Sequence, residues 1–213
     1  MDSSIARDPA QTAADAHEKR HLRRSLLATR EALPERETRD LALARRLSDE
    51  IGRRAPRCIG FYWPIQGEFD ARPIIEAWLG PDAARLAALP VVTAPATPLV
   101  FHRWTPQTPM VEGLYRIPVP QDTEVLIPDL LLVPCVGFTR DGLRLGYGGG
   151  FYDRTLHALS PAPQTLGIAY DALEIAHLAA EPHDLALDAI VTESATFERE
   201  RGTPSGDAAD ISR

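Results

Sequence analysis

Asp141-Gly142-Leu143-Arg144-Leu145-Gly146-Tyr147-Gly148-Gly149-Gly150-Phe151-Tyr152-Asp153-Arg154 is the stretch from which the rest of the chain is read. It follows an apolar run, Leu130-Leu131-Leu132-Val133-Pro134-Cys135, and ends where helical apolar spacing begins, so the glycines at 146, 148, 149 and 150 fall between a buried strand and a helix. A helix start leaves backbone N–H groups without intrahelical partners, and glycines let consecutive amides turn toward one anion with no Cβ in the way. The stretch therefore reads as a phosphate cradle, with Arg144 and Arg154 as fixed cations beside it and Asp153 as a carboxylate for a magnesium ion. The plainer reading is a glycine-rich surface turn. The spacing matches neither G-x-x-x-x-G-K-[ST] nor G-x-G-x-x-G.

Upstream, Arg57 to Trp63 reads as a strand ended by Pro64, Ile65 to Asp70 as a turn, and Pro73 to Leu79 as a helix. Such a turn lies at the carboxyl end of a strand, where open α/β sheets place their ligands. Glu68 and Asp70 are thus candidates to hold a polar ligand head, with Phe61, Tyr62 and Trp63 as a flat surface; the alternative is aromatics packed in the core with two solvated acids outside. Strands are predicted over 86–92 and 99–104. Nine prolines from Pro90 to Pro134 confine that region to short strands and turns, and residues 110–115 and 117–120 line either an extended cleft or a surface meander. Downstream, a helix over 152–159, a strand over 164–170, a shorter helix over 173–178 and a last strand ending at Thr192 are predicted. Asp188, at the start of that strand, is a candidate to join Asp153 around a cation, although an acid there is more usually a turn residue. Strands alternating with helices over 57–192 predict a three-layer α/β/α domain with a mainly parallel open sheet.

The N-terminal part reads as a helix pair packed against that sheet. Leu22, Leu26, Leu27 and Leu33 recur at helical spacing, Pro34 interrupts, and Leu41, Leu43, Leu47 and Ile51 resume. Lys19 and Arg23 are four apart on one face, and Arg30 lies on the same side. Lys19 is the single lysine in a chain whose lysines and arginines number 23. A chain otherwise using arginine retains a lysine where a compact point charge is wanted, such as at a terminal phosphate, or by chance on a solvated helix. Residues 17–57 carry twelve Lys/Arg against seven Asp/Glu, a net of +5; the whole chain is at −7, which leaves −12 on the remainder. That balance argues against a nucleic-acid partner and for a small polyanion focused at one place. Residues 1–16 and 199–213 read as flexible tails around a single domain over 17–198. Cys58 and Cys135 sit in apolar surroundings as free thiols, which with the lack of an apolar targeting or spanning run predicts a cytoplasmic protein without a membrane partner.

Arg144 to Arg154, the N-terminal Lys19-x-x-Leu22-Arg23 with Arg30 and Leu33, the turn Gly67-Glu68-Phe69-Asp70, and His183-Asp184 followed by Asp188 and Thr192 together resemble the 5-formyltetrahydrofolate cyclo-ligase family, also called 5,10-methenyltetrahydrofolate synthetase. The resemblance covers residues 17 to 193 and is weakest in the centre. It implies an enzyme of a single α/β domain that closes 5-formyltetrahydrofolate to 5,10-methenyltetrahydrofolate with ATP and Mg2+, releasing ADP and phosphate; a monomer is the expected state. It puts Lys19 and Arg23 on the ATP phosphates. It puts Arg144, Gly146, Tyr147, Gly148, Gly149, Gly150, Phe151, Tyr152 and Asp153 in the triphosphate loop, with catalysis on Lys19, Arg23, Arg144 and Tyr152. Asp153 and Asp188 would lie near magnesium, and Phe61, Glu68, Trp104 and Phe151 on the folate side. The chain departs from some relatives, which have Arg at the position of Tyr147 and Lys at that of Gly149.

The chemistry asks for the same residue types. A formamide oxygen is a weak nucleophile and its carbon a weak electrophile; phosphorylating the oxygen makes it a leaving group, after which N10 attacks the carbon. Cations, amides and alignment are then needed, and no protein nucleophile. The alternatives are a sugar-phosphate or coenzyme A enzyme on a related sheet, or a binding module that holds nucleotide or folate without turnover.

Overall fold

The computed structural model describes residues 9–80, 82–179, 181 and 184–200, without the side chains of 9–14. In chain order its elements are α1 (Pro9–Glu31), α2 (Arg36–Arg54), β1 (Cys58–Gly60), α3 (Arg72–Leu79), β2 (Leu86–Val91), β3 (Val100–Arg103), β4 (Met110–Glu112), β5 (Pro118–Pro120), β6 (Val125–Leu126), β7 (Leu130–Pro134), β8 (Gly137–Phe138), β9 (Arg144–Leu145), α4 (Phe151–Ala158), β10 (Gln164–Ile168), β11 (Ala189–Val191) and β12 (Thr196–Glu198). Eight strands form one sheet in the order β12-β11-β10-β7-β1-β2-β3-β6. The strands from β11 to β2 run parallel, and antiparallel β12, β3 and β6 close the two sides.

Alternation along each strand divides the core into two faces. On one, Ile59, Leu130, Leu132 and Leu166 meet Leu43, Leu47 and Ile51 of α2 and Ile75 of α3. On the other, Leu131 and Val133 meet Tyr152 and Leu156 of α4. Helices thus cover both faces, which gives the three layers. The apolar residues of α2 are four apart, and the helix stops at Ala55 in the left-handed region, whose N–H returns to the Ile51 carbonyl. Proline in the first turn of α3 costs no hydrogen bond, because that N–H has no intrahelical partner.

The structure departs from the expected elements in two places. Helix α1 begins at Pro9 and so reaches back into residues read as a tail, where alanines favour helix even though little there marks an apolar face. Residues 1–8 and 201–213 lie outside the described residues. The helix predicted over 173–178 is a single 3-10 turn, Asp171–Leu173. Beyond it the backbone is extended, Phe138 bridges Glu174, and the Ile175 N–H donates to the Phe138 carbonyl at 2.8 Å, a pairing that a continued helix would forgo. Among the described residues no helix is long and apolar enough to cross a membrane.

Candidate functional site

After β7 the chain turns through the β8–β9 hairpin and enters the glycine stretch, which delivers it to the start of α4. Gly148 has φ of +93° and Gly150, at the N-cap of α4, +64°. Gly150 has no side chain to cap that helix, which leaves its first amides to whatever lies before it, with Asp153 in the first turn. The loop is tied down by arginines through its carbonyls. Arg23 Nε donates to the Gly146 carbonyl at 2.7 Å and Arg154 Nη2 to that of Gly149 at 2.5 Å. A Cβ at Gly148 would lie 3.3 Å from the Arg23 guanidinium carbon. Among the described residues, Arg154 Nε is buried without a hydrogen-bond partner. Arg144 on β9 donates from Nη2 to Asp153 Oδ1 at 2.5 Å and from Nη1 to the Leu185 carbonyl at 2.8 Å.

Helix α1 brings its cations along one side of this loop. Lys19 Nζ donates to Glu181 Oε1 at 2.7 Å and lies 3.6 Å from Asp184 Oδ2. Burial lowers the Arg23 pKa, countered chiefly by Glu181. Arg30, 1% exposed, donates from Nε to the Gln66 carbonyl at 3.1 Å and from Nη2 to the Tyr147 hydroxyl at 2.6 Å. The seven-residue spacing from Arg23 puts Arg30 on the same face of the helix, and that spacing is the sequence signal for its place in the site.

The turn after β1 supplies the opposite wall. Glu68, 8% exposed, accepts the Ile65 N–H at 2.9 Å on Oε2 and the Tyr147 hydroxyl at 2.7 Å on Oε1. Burial raises its pKa, while the bonds from Tyr147 and Ile65 and the charge of Arg30 pull it back. Burial and the nearby Glu68 charge push the Tyr147 and Tyr152 phenols up. Arg30, Tyr62, Glu68 and Tyr170 line a small cavity beside this chain of bonds. Phe151 is half-buried, and Tyr115, 61% exposed at the tip of the β4–β5 hairpin, meets its ring edge-on at 6.0 Å.

Other expected residues go elsewhere. Phe61 and Trp104, 0% and 6% exposed, pack edge to face at 5.1 Å in the core and offer no ring to a ligand. The reason is that helices cover both faces of these strands. Asp188 accepts both the N–H and the hydroxyl of Thr165 on Oδ2 at 2.9 Å, a clasp at the amino-terminal ends of β10 and β11 rather than at the carboxyl-terminal edge. Asp70 pairs with Arg72, whose guanidinium stacks over Trp63. His183 lies outside the described residues.

No group of three or more His, Cys, Asp or Glu suited to a metal is found among the described residues. Magnesium, however, is commonly held by one or two carboxylates together with substrate phosphates and water. Asp153, with its side chain 21% exposed at the start of α4, fits that use.

A family model for the 5-formyltetrahydrofolate cyclo-ligase family matches residues 15–193. The chain is 35% identical to a 5-formyltetrahydrofolate cyclo-ligase of Escherichia coli strain K12 over 148 residues, 66% of this chain and 80% of that one. It is 33% identical to that of Mycolicibacterium smegmatis over 184 residues, 82% and 93% of the two chains. Among solved structures, the 5,10-methenyltetrahydrofolate synthetase of Aquifex aeolicus superposes with a TM-score of 0.73 at 26% identity, covering 91% of this chain and 99% of its own. That of Mycoplasma pneumoniae gives 0.63 at 27%, covering 82% and 98%.

Proposed function

The chain belongs to the 5-formyltetrahydrofolate cyclo-ligase family and catalyses the ATP-dependent cyclisation of 5-formyltetrahydrofolate to 5,10-methenyltetrahydrofolate, and from that premise we propose how its residues divide the work. The observation that carries the division is the pairing of an arginine-tied glycine loop at the start of α4 with a buried carboxylate, Glu68, joined to it through Tyr147. The loop amides of Gly146 to Gly150, with Arg23, Arg144 and Arg154, take the nucleotide phosphates. Lys19 reaches the transferred phosphoryl group by exchanging Glu181 for it. Asp153, oriented by Arg144, would hold magnesium, which would supply charge neutralisation for phosphoryl transfer. Tyr152, on the first turn of α4, positions the phosphate chain. Glu68 receives the N–H edge of the pterin, and Phe151 with Tyr115 gives the aromatic part of the folate an apolar rim.

In the reaction the formyl oxygen attacks the γ-phosphorus and ADP leaves. N10 then attacks the formyl carbon, phosphate departs with the former formyl oxygen, and N10 loses its proton. The site's contribution is alignment and charge stabilisation without a covalent protein intermediate. The enzyme works as a monomer in the cytoplasm, a placement supported by the buried free thiols of Cys58 and Cys135.

Incubating the purified protein with 5-formyltetrahydrofolate and Mg-ATP should give the near-ultraviolet absorbance of the methenyl product with one phosphate released per turnover. Omitting ATP, folate or the divalent ion in turn should abolish it. Binding of both ligands without product would instead identify a non-catalytic module.

A further inference from the structure

We propose that Tyr147 couples the two substrate sites, its hydroxyl tying the phosphate loop to the carboxylate that receives the folate so that each ligand strengthens the binding of the other. The inference rests on the proposed assignment of Glu68 to folate and of the glycine loop to nucleotide. Tyr147 stands within that loop, between Gly146 and Gly148, yet its hydroxyl reaches out of it: it donates to Glu68 Oε1 at 2.7 Å and accepts from Arg30 Nη2 at 2.6 Å. The one proton of the phenol and a lone pair of its oxygen are thereby committed to a carboxylate and a guanidinium from two separate elements. The residue is 37% exposed, so its ring is open to solvent while its polar end is anchored on two side chains that are 8% and 1% exposed.

The coupling follows from what each partner can still accept. Glu68 Oε2 accepts the Ile65 N–H and Oε1 the phenol, and each oxygen keeps a further lone pair for an N–H of the pterin. A folate that immobilises Glu68 therefore immobilises Tyr147 and with it the backbone on either side, whose amides face the phosphates. The ordering of the loop, which a nucleotide alone would have to bring about, is then already in place. By reciprocity a bound nucleotide holds Tyr147 and presents Glu68 ready for folate, with the same factor.

The test uses the full chain, the magnesium complex of a β,γ-imido ATP analogue, and tetrahydrofolate, which lacks the formyl group and is not cyclised. Calorimetric titration should show each ligand tightening the other by about 5-fold or more in the parent and within about 2-fold of no effect in Tyr147→Phe, which keeps the ring. A second readout separates coupling from simple support of the loop. The groups facing Glu68 are Arg30 from α1, Tyr62 beyond β1, Cys135 beyond β7, Tyr147 and Tyr152. Of these, the phenol of Tyr147 hydrogen-bonds the carboxylate and favours its charged form, so Tyr147→Phe should move the acid limb of kcat/KM for the folate to higher pH. A parent without mutual tightening, or a Tyr147→Phe protein with the parent's factor and acid limb, overturns the proposal. A parent that forms no methenyl product overturns the functional assignment itself, which a normal turnover with unaltered coupling would leave standing.

Discussion

Gly148 holds a left-handed backbone, φ of +93°, and its missing Cβ leaves room for the Arg23 guanidinium. A side chain there suffers both strain and a cation displaced from the Gly146 carbonyl. Gly148→Ala should therefore raise the KM for ATP several-fold while costing only about 1–2 kcal/mol of stability, the usual penalty for that backbone region. Nucleotide titration beside thermal unfolding checks it, and a stability loss with unchanged ATP affinity would count against a phosphate role. At Asp153 the partner is Arg144, whose side chain is 5% exposed, so charge and position are bound together. Asp153→Asn should lower magnesium-dependent turnover by about 10-fold or more, as expected for damage to a cation-supported phosphoryl site. Turnover and magnesium dependence like the parent's would remove Asp153 from the site.

Among the elements, the β8–β9 hairpin sets where the glycine loop starts. Its turn closes with the Gly142 N–H on the Thr139 carbonyl at 3.0 Å, and Gly142 has φ of +92°. A Cβ there would fall 2.5 Å from the Leu187 carbonyl oxygen, which is backbone and cannot step aside. Gly142→Ala should cost about 2 kcal/mol or more, combining backbone strain with overpacking, and show as a lowered denaturant midpoint; an unchanged midpoint would mean the hairpin yields at no cost. Elements of this kind show what the sequence makes legible. The loop between a buried strand and a helix, the proline-started α3 and the shared face of Lys19 and Arg23 follow from local pattern, and each is found. The fate of Phe61 and Trp104 does not follow, because alternation names two faces of a strand without saying that helices cover both. Asp188 illustrates the same limit: its partner, Thr165, is on another strand, and only the parallel register of β10 with β11 brings them together. Neither the phenol of Tyr147 nor Arg30 could be matched to Glu68 from spacing, since the three come from a loop, a helix and a turn.

Across the whole molecule, Glu68 links the site to stability. Its pKa is raised by burial in the folded chain above the ordinary glutamate value that the unfolded chain restores. The folded state then binds more protons between the two values, so the contribution of this group to stability is complete below the unfolded pKa and is lost as pH rises through the folded one. Glu68→Gln removes that slope. Tm measured from pH 4 to pH 8 should therefore show the variant gaining on the parent as pH rises, while its turnover falls; parallel Tm curves would mean that the carboxylate is not perturbed. The solitary lysine has a consequence of another kind. Lys19 is the one lysine of 213 residues, and its amine is ion-paired to Glu181 with its side chain 13% exposed. Apart from the α-amino group, an acylating reagent meets a single primary amine, so the chain carries its own reporter at the place where phosphate is expected. Mass spectrometry of the acylated peptide should show modification slowed by Mg-ATP and hastened by Glu181→Gln, and a rate indifferent to nucleotide would take Lys19 away from the phosphates without a single turnover being measured.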